Sequence, residues 1–229
     1  MMFNRDDPKT WGCFRPLIIA HDVGRSRDRS TAVIGGLAPF DRNLIGIQEA
    51  HELRQGSYGS ARASELATID RHYDSEALIV ADLSNDPTYG EVLHETFGSR
   101  VVGLQISRHG DGMNFERRPV KHSAMLVYTV GRSYLLESYH SRLQSGQVRI
   151  VDKPTTRRAY EQLMGLETEL RESGVVYSCP PGQHDDLGIS CAMLAWAARH
   201  SHLGSWVRTA MSARRPRRLR QTYGWAAFT

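Results

Sequence analysis

Cysteine is scarce in this sequence, and long apolar runs are missing. The three cysteines, Cys13, Cys179 and Cys191, lie too far apart to form a CxxC zinc site or a dense disulfide framework. No apolar run approaches the roughly 20 residues that a membrane-spanning helix needs. The first residues, MMFNRDDPKTWG, lack the apolar core of a secretory signal. These absences favour a globular protein in a reducing, intracellular setting.

Two enzyme classes also lack their signatures. The sequence contains no G-x-x-x-x-G-K-[ST] loop, so it predicts no phosphate-loop ATPase. Ser26, Ser30 and Ser84 are not accompanied by the His and Asp pattern of serine hydrolases. No internal repeat divides the chain, and 229 residues fit one domain or at most two small ones.

Positive charge is concentrated near the C-terminus. The formal net charge is +4, and the stretch RTAMSARRPRRLR carries six arginines and no acidic residue. Such a run is typical either of a solvated terminus or of an arm that contacts phosphates. We divide the chain into a linker-like segment at 1–15, a core domain at 16–205 and a basic tail at 206–229. The candidate phosphate contacts in the tail are Arg214, Arg215, Arg217 and Arg218.

Hydrophobic periodicity predicts an α/β fold with a mixed central sheet flanked by helices. Three apolar, strand-like runs come first and are followed by helix, strand, helix and strand, which is typical of this class. The predicted strands are Leu17–Asp22, Ser30–Leu37, Asn43–His51, Ala77–Asp82, Arg100–Ile106, Val148–Val151 and Val175–Ser178. The predicted helices are Tyr58–Tyr73, Thr88–Phe97, Lys121–Gly131, Ser133–Ser145, Thr155–Glu172 and the segment after His184, with a loop at Ser107–Asn114.

Aspartates stand at three of the predicted element ends. Asp22 ends the first strand, Asp82 ends the fourth, and Asp185 with Asp186 opens the last helix. Residues just beyond strand ends line the crevice in which α/β sheets bind ligands. If the two strands are neighbours and the helix packs at the same edge, four carboxylates come together.

A cluster of carboxylates repels itself unless a cation is present. Hard oxygen ligands without His or Cys favour Mg²⁺ or Mn²⁺ over zinc. Two such ions about 4 Å apart can activate a water and stabilise the leaving oxygen of a phosphodiester. The pattern therefore predicts a metal-dependent nuclease.

Each aspartate also has an ordinary structural explanation. An Asp at a strand end is commonly a turn residue, and an Asp at a helix start is commonly a cap. Asp28, in the loop GRSRDRS, would ordinarily be a solvated charge beside Arg27 or Arg29. The order of the elements is what favours the metal site: strand and Asp, two strands, a helix, strand and Asp, then a distant helix headed by Asp.

The aspartates lie in the stretches IIAHDVGRSRDRSTAVIGG, ALIVADLSNDPTYGEVLHE and HDDLGISCAMLAWA. These stretches resemble the nuclease domain of the large terminase subunit of tailed phages, which has a ribonuclease H-like fold. Asp22 and Asp28 match the first family motif, and Asp82 with the following Thr-Tyr-Gly turn matches the second. Asp185 and Asp186 match the acidic pair that opens an Ala-rich helix. The resemblance covers residues 15 to 200, approximately.

The resemblance implies sequence-tolerant cleavage of double-stranded DNA during genome packaging, with two divalent ions, Mg²⁺ or Mn²⁺, as cofactors. It implies that Asp22 bridges both ions, that Asp82 binds one and that Asp186 binds the other. Asp28 and Asp185 would support the cluster. We prefer Asp186 to Asp185 as the direct ligand, although one residue of helix offset would exchange their directions.

The resemblance also implies partners and a location. A packaging ATPase domain, the portal and the small terminase subunit would assemble with the chain in the cytoplasm of a bacterial host. Because the chain has no phosphate loop of its own, it would be an isolated nuclease domain, a fragment or truncated prophage product, or a nuclease that acts with a separate ATPase.

Basic and histidine side chains supply candidate contacts to DNA. His184 adjoins the acidic pair and would orient water or phosphate. In the family a hairpin of the region after residue 107 lies near the DNA, so Arg108, Arg117, Arg118 and Lys121 are predicted phosphate contacts, with a solvated loop as the alternative. Two other functions stay open: a Holliday-junction resolvase-like nuclease, and a non-catalytic DNA-binding or portal-docking module of the same fold.

Deleting Arg214–Thr229 is expected to weaken binding to duplex DNA, because five arginines leave with the segment. Each lost phosphate contact should reduce the slope of log binding constant against log salt concentration by about 0.9. Fluorescence anisotropy over a series of KCl concentrations measures that slope. An unchanged slope would contradict the hypothesis that this segment is a phosphate-contacting arm and would favour a solvated terminus.

Overall fold

The computed structural model describes residues 3–4, 17–24, 29–37, 41, 43–54, 59–73, 76–108, 110–121, 123–171, 174–200 and 203. Within these ranges a mixed sheet of nine strands carries helices on both faces, and two further strands form a separate hairpin. None of the described helices is long and apolar enough to cross a membrane.

The strands and the helices are numbered separately, each in chain order. The strands are β1 (Phe3–Asn4), β2 (Ile18–Asp22), β3 (Thr31–Leu37), β4 (Ile45–Glu52), β5 (Leu78–Asp82), β6 (Val101–Ser107), β7 (Asp111–Val120), β8 (Ser123–Gly131), β9 (Val148–Val151), β10 (Glu167–Arg171) and β11 (Gly174–Ser178). The helices are α1 (Gly59–His72), α2 (Tyr89–Phe97), α3 (Arg132–Gln144), α4 (Pro154–Met164) and α5 (Asp186–Arg199).

The order of the strands puts the two that end in aspartate at the centre of the sheet. That order is β1-β9-β4-β3-β2-β5-β6-β8-β7. β2 pairs antiparallel with β3 and parallel with β5, and β5, β6 and β8 continue in parallel. The predicted mixed α/β sheet is confirmed, and so is the adjacency of the first and fourth predicted strands.

Two apolar cores lie on opposite faces of the sheet. One core packs α3, α4 and α5 against the sheet, and the other packs α1 and α2. Side chains alternate along β2, so Ile18 and Ala20 enter the α5 core while Ile19 enters the α1 core. The helix α5 is buried along almost its whole length because it lies between the sheet and two other helices.

Two of the predicted helices are wrong, at least in part. Most of the segment Lys121–Gly131 forms β8, which pairs with β7, and β7 starts at Asp111, inside the predicted loop. β8 lies between β6 and β7 and is covered on both faces, so its apolar residues form a run without the alternation that marks a half-buried strand. The predicted helix Thr155–Glu172 ends at Met164 in α4, and the rest forms β10.

A buried ion pair fixes the point at which the chain enters β5. Asp70 near the end of α1 is almost fully buried and pairs with Arg100, Nη2 to Oδ2, at 2.8 Å. The Ala77 amide donates to Asp70 Oδ1 at 3.1 Å, and Arg100 Nη1 donates to the Ala77 carbonyl at 2.7 Å. These contacts hold the start of the strand whose other end carries Asp82.

Replacing Asp70 by Ala is expected to lower the free energy of unfolding by roughly 3 kcal/mol, because it leaves a partly buried guanidinium and a buried amide without their acceptor. The control is Glu116→Ala, which removes an exposed partner of Arg118 and should cost less than about 1 kcal/mol. Urea denaturation followed by circular dichroism measures both changes. Equal costs for the two variants would contradict a structural role for Asp70 at the start of β5.

Candidate active site

Asp22 and Asp82 end two neighbouring parallel strands. The register pairs His21 of β2 with Ala81 of β5, so the two aspartates are the next residues along both strands. Residues two positions earlier on each strand belong to the α5-side core, and alternation puts both carboxyl groups on that same face. The sheet therefore presents two carboxylates side by side at the edge where α5 begins.

Hydrogen bonds from Thr31 hold the start of α5 beside Asp22. Thr31 lies directly opposite Asp22 in the β2–β3 ladder. Its hydroxyl lies 3.1 Å from the Asp186 carbonyl, as a donor to it, and 2.8 Å from the Ser190 hydroxyl. Asp186, the first residue of α5, is thereby held next to the strand ends. Sequence reasoning did not identify Thr31. The available signal was a hydroxyl residue at the start of β3, the strand that pairs with β2.

Ser84 holds the carboxylate of Asp82. Both its backbone amide, at 2.9 Å, and its hydroxyl donate to Asp82 Oδ1. The same hydroxyl accepts the Ile106 amide at 2.7 Å, which ties the site to β6. Burial raises the pKa of Asp82, and the hydrogen bonds from Ser84 oppose that rise.

The charges of the neighbouring carboxylates act on Asp22. Burial raises the pKa of Asp22 well above its usual value, and the charges of Asp82, Asp186 and Asp185 raise it further. Arg132 is the opposing positive charge. Like charges that share a low-dielectric site disfavour their own ionised forms, so the neighbouring carboxylates add to the effect of burial on Asp22.

Asp185 precedes α5 but does not cap it. Its side chain makes no hydrogen bond to the helix amides and is instead paired with Arg132, the first residue of α3. The cap comes from α4, where Gln162 Oε1 accepts the amides of Leu187 at 3.0 Å and Gly188 at 3.3 Å. Because α4 supplies this cap, the Asp185 carboxylate pairs with Arg132 and is not needed by the helix amides.

Open clefts lie on both sides of the acidic cluster. One, of about 850 Å³, is lined by Asp82, Arg108 and Arg132 together with residues of β11. The other, of about 520 Å³, is lined by Asp186 and His184 beside α4. His184 is exposed, and its Nδ1 lies 3.9 Å from Asp186 Oδ2. The cluster is thus reachable from solvent on two sides.

Of the predicted DNA contacts in the described ranges, Arg108 lies beside the acidic cluster. It follows β6, whose end neighbours Asp82. Arg117, Arg118 and Lys121 lie toward the opposite end of the β7–β8 hairpin, and two of them form surface ion pairs. The other candidates, Asp28, Arg214, Arg215, Arg217 and Arg218, lie outside the described residues.

The chemistry of the donor set fits Mg²⁺ or Mn²⁺, since these aspartates offer hard oxygen ligands. In the part of the chain that the structure describes, however, no three His, Cys, Asp or Glu side chains are already arranged around a common ion position. The carboxylate of Asp185 is engaged with Arg132.

Comparison with known proteins gives one kind of match. No family model matches the chain, and no curated protein matches it. The large terminase nuclease of thermophilic phage G20c is similar with a TM-score of 0.56 and 18% identity, over 81% of this chain and 84% of that one. The structure of this nuclease with bound magnesium is similar with a TM-score of 0.54 and 19% identity, over 80% of this chain and 83% of that one. The large terminase nuclease domain of Thermus phage P74-26 is similar with a TM-score of 0.51 and 19% identity, over 81% of this chain and 82% of that one.

At these identities the likeness concerns the fold. The chain has the ribonuclease H-like fold of large terminase nuclease domains, as the three sequence stretches predicted. The roles of the individual aspartates stay predictions.

Asp22→Asn is expected to stabilise the metal-free protein near neutral pH. Because the pKa of Asp22 is raised in the folded state, that state retains a proton that the unfolded state has released. Ionised Asp22 therefore costs stability above the folded pKa, and the cost disappears as the pH falls toward the unfolded value of about 3.9.

Thermal unfolding in EDTA at a series of pH values tests this sign. The advantage of Asp22→Asn over the wild type should be largest near neutral pH and should shrink as the pH falls. Asp41→Asn, in an exposed turn, is the control and should show no such trend. A wild type that is more stable than Asp22→Asn at neutral pH would contradict the repulsion within the cluster.

Proposed function

We propose that this chain is a divalent-metal-dependent endonuclease that hydrolyses double-stranded DNA during phage genome packaging. The observation that carries the proposal is the pairing of Asp22 and Asp82 at neighbouring strand ends, with Asp186 held beside them by Thr31. Similarity of fold to terminase nucleases, one of them with bound magnesium, supports it.

The proposed site uses two ions, Mg²⁺ or Mn²⁺, with Asp22 as the shared ligand and Asp82 and Asp186 as ligands of one ion each. When bound, the ions would activate a water and stabilise the leaving oxygen of the phosphodiester. Asp185 and Asp28 would support the cluster, and His184 would orient water or phosphate.

The residues of the chain have their own tasks in this reaction. Because burial raises the pKa of Asp22, binding of an ion at this carboxylate would favour release of its proton. Ser84 keeps the Asp82 carboxylate in place through two hydrogen bonds. Arg108, exposed in the cleft beside Asp82, would contact a phosphate of the bound strand.

The proposed setting is a terminase complex in a bacterial host cell. Because this sequence holds no phosphate loop, ATP-driven translocation would be the task of a packaging ATPase outside these 229 residues. The portal and the small terminase subunit would be the other partners.

The test is metal-dependent nicking and linearisation of supercoiled plasmid. With Mg²⁺ or Mn²⁺ the wild type should cut, and Asp82→Asn should reduce the rate by roughly 100-fold or more, since charge stabilisation by a metal ion is worth several kcal/mol. Asn keeps an oxygen that can accept the Ser84 hydrogen bonds. Asp41→Asn, remote from the cluster, should cut at the wild-type rate.

Other outcomes separate the alternative functions. A wild type that binds plasmid but does not cut it with either ion would favour a non-catalytic DNA-binding or portal-docking module. Faster cleavage of four-way junctions than of linear duplex would favour the resolvase.

A further inference from the structure

Arg132 is a basic side chain in direct contact with the acidic cluster. It begins α3 immediately after β8 ends, and its guanidinium pairs with the largely buried carboxylate of Asp185. The Arg132 side chain itself is about a third exposed, at 37%, and it lines the 850 Å³ cleft that also contains Asp82. One face of the residue therefore meets the cluster, and the other meets solvent.

The charge of Arg132 acts on more than its ion-pair partner. It lowers the pKa of Asp22 and of Asp82, against the effect of burial on both. A single guanidinium thus offsets part of the repulsion among carboxylates on β2, β5 and the start of α5. This is the electrostatic task that a bound divalent ion performs in a carboxylate site.

Two cations that serve the same carboxylates compete. A divalent ion among these aspartates would repel the Arg132 guanidinium and would also attract the carboxylate of Asp185. The position of Arg132 at the start of α3 is held by the neighbouring Ser133, whose hydroxyl donates to the Val175 carbonyl at 2.8 Å. The helix start is therefore anchored, and the long side chain is the part that can turn toward the cleft.

We propose that Arg132 is an internal counter-ion of the acidic cluster, which releases Asp185 when a divalent ion binds and then contacts a DNA phosphate from the cleft. The proposal rests on the proposed nuclease function. The planar guanidinium suits both partners, since it pairs with carboxylates and phosphates in the same bidentate geometry. Arg132 is a positioning residue in the metal-free protein and a substrate contact in the complex.

The experiment measures metal binding without DNA and DNA binding without turnover. Isothermal titration with Mn²⁺ gives the ion affinity of the wild type, Arg132→Met and Arg132→Gln, each checked for folding by circular dichroism. Gln keeps a hydrogen-bond donor for Asp185 but not the charge. Arg142→Met is the matched control, because Arg142 lies at the other end of α3 and bonds to Gln147.

Both Arg132 variants should bind Mn²⁺ at least about fivefold more tightly than the wild type, because a repelling charge has been removed. In EDTA they should unfold at a lower temperature than the wild type, and Mn²⁺ should raise their Tm by a larger amount. Their affinity for a short DNA duplex in Ca²⁺, measured by anisotropy, should fall by about fivefold or more through loss of a charge-assisted phosphate contact. Arg142→Met should match the wild type in both affinities.

Unchanged or weaker Mn²⁺ binding by Arg132→Met and Arg132→Gln would contradict the role of Arg132 as a counter-ion. A purely structural role predicts a less ordered site and weaker Mn²⁺ binding in both variants. Tighter Mn²⁺ binding with unchanged DNA affinity would overturn the phosphate contact. A wild type that binds no Mn²⁺ would overturn the proposed nuclease function together with this inference, whereas failure in the variants alone leaves the nuclease function standing.

Discussion

Two carboxylates, those of Asp22 and Asp82, are held side by side by the backbone hydrogen bonds of two parallel strands. Neither can move away without disturbing the centre of the sheet. The repulsion is therefore built into the fold, and the structure has to offset it with contacts from elsewhere. A protein that needed only stability at this position would gain from apolar or amide side chains, so the repulsion supports the proposal that a divalent cation binds here.

The contacts that surround the pair come from four separate parts of the chain. Thr31 on β3 holds the backbone of Asp186, and Ser84 after β5 holds Asp82. Gln162 on α4 caps α5, which leaves Asp185 free to pair with Arg132. Together these contacts fix the backbone of Asp186, the carboxylate of Asp82 and the start of α5 beside the strand ends.

Local patterns in the sequence were enough to predict the two aspartate strands and the helix that opens with the acidic pair. The apolar runs predicted the two strands, and the β2–β5 register confirmed that the strands are neighbours. The segment Lys121–Gly131 was predicted wrongly, because burial on both faces of β8 removes the period of two. The contacts of Arg132 and Gln162 could not be predicted from the sequence. Each residue contacts a partner more than twenty positions away, and no local sequence pattern indicates that contact.

A crystal structure of the protein soaked in Mn²⁺, with the ions located by anomalous scattering, tests the central claim most directly. The account predicts Mn²⁺ in direct contact with the carboxylates of Asp22 and Asp82, with Asp186 completing the site and the Arg132–Asp185 pair opened. Mn²⁺ bound only elsewhere on the protein, with Asp22 and Asp82 free of metal at saturating concentration, would contradict it.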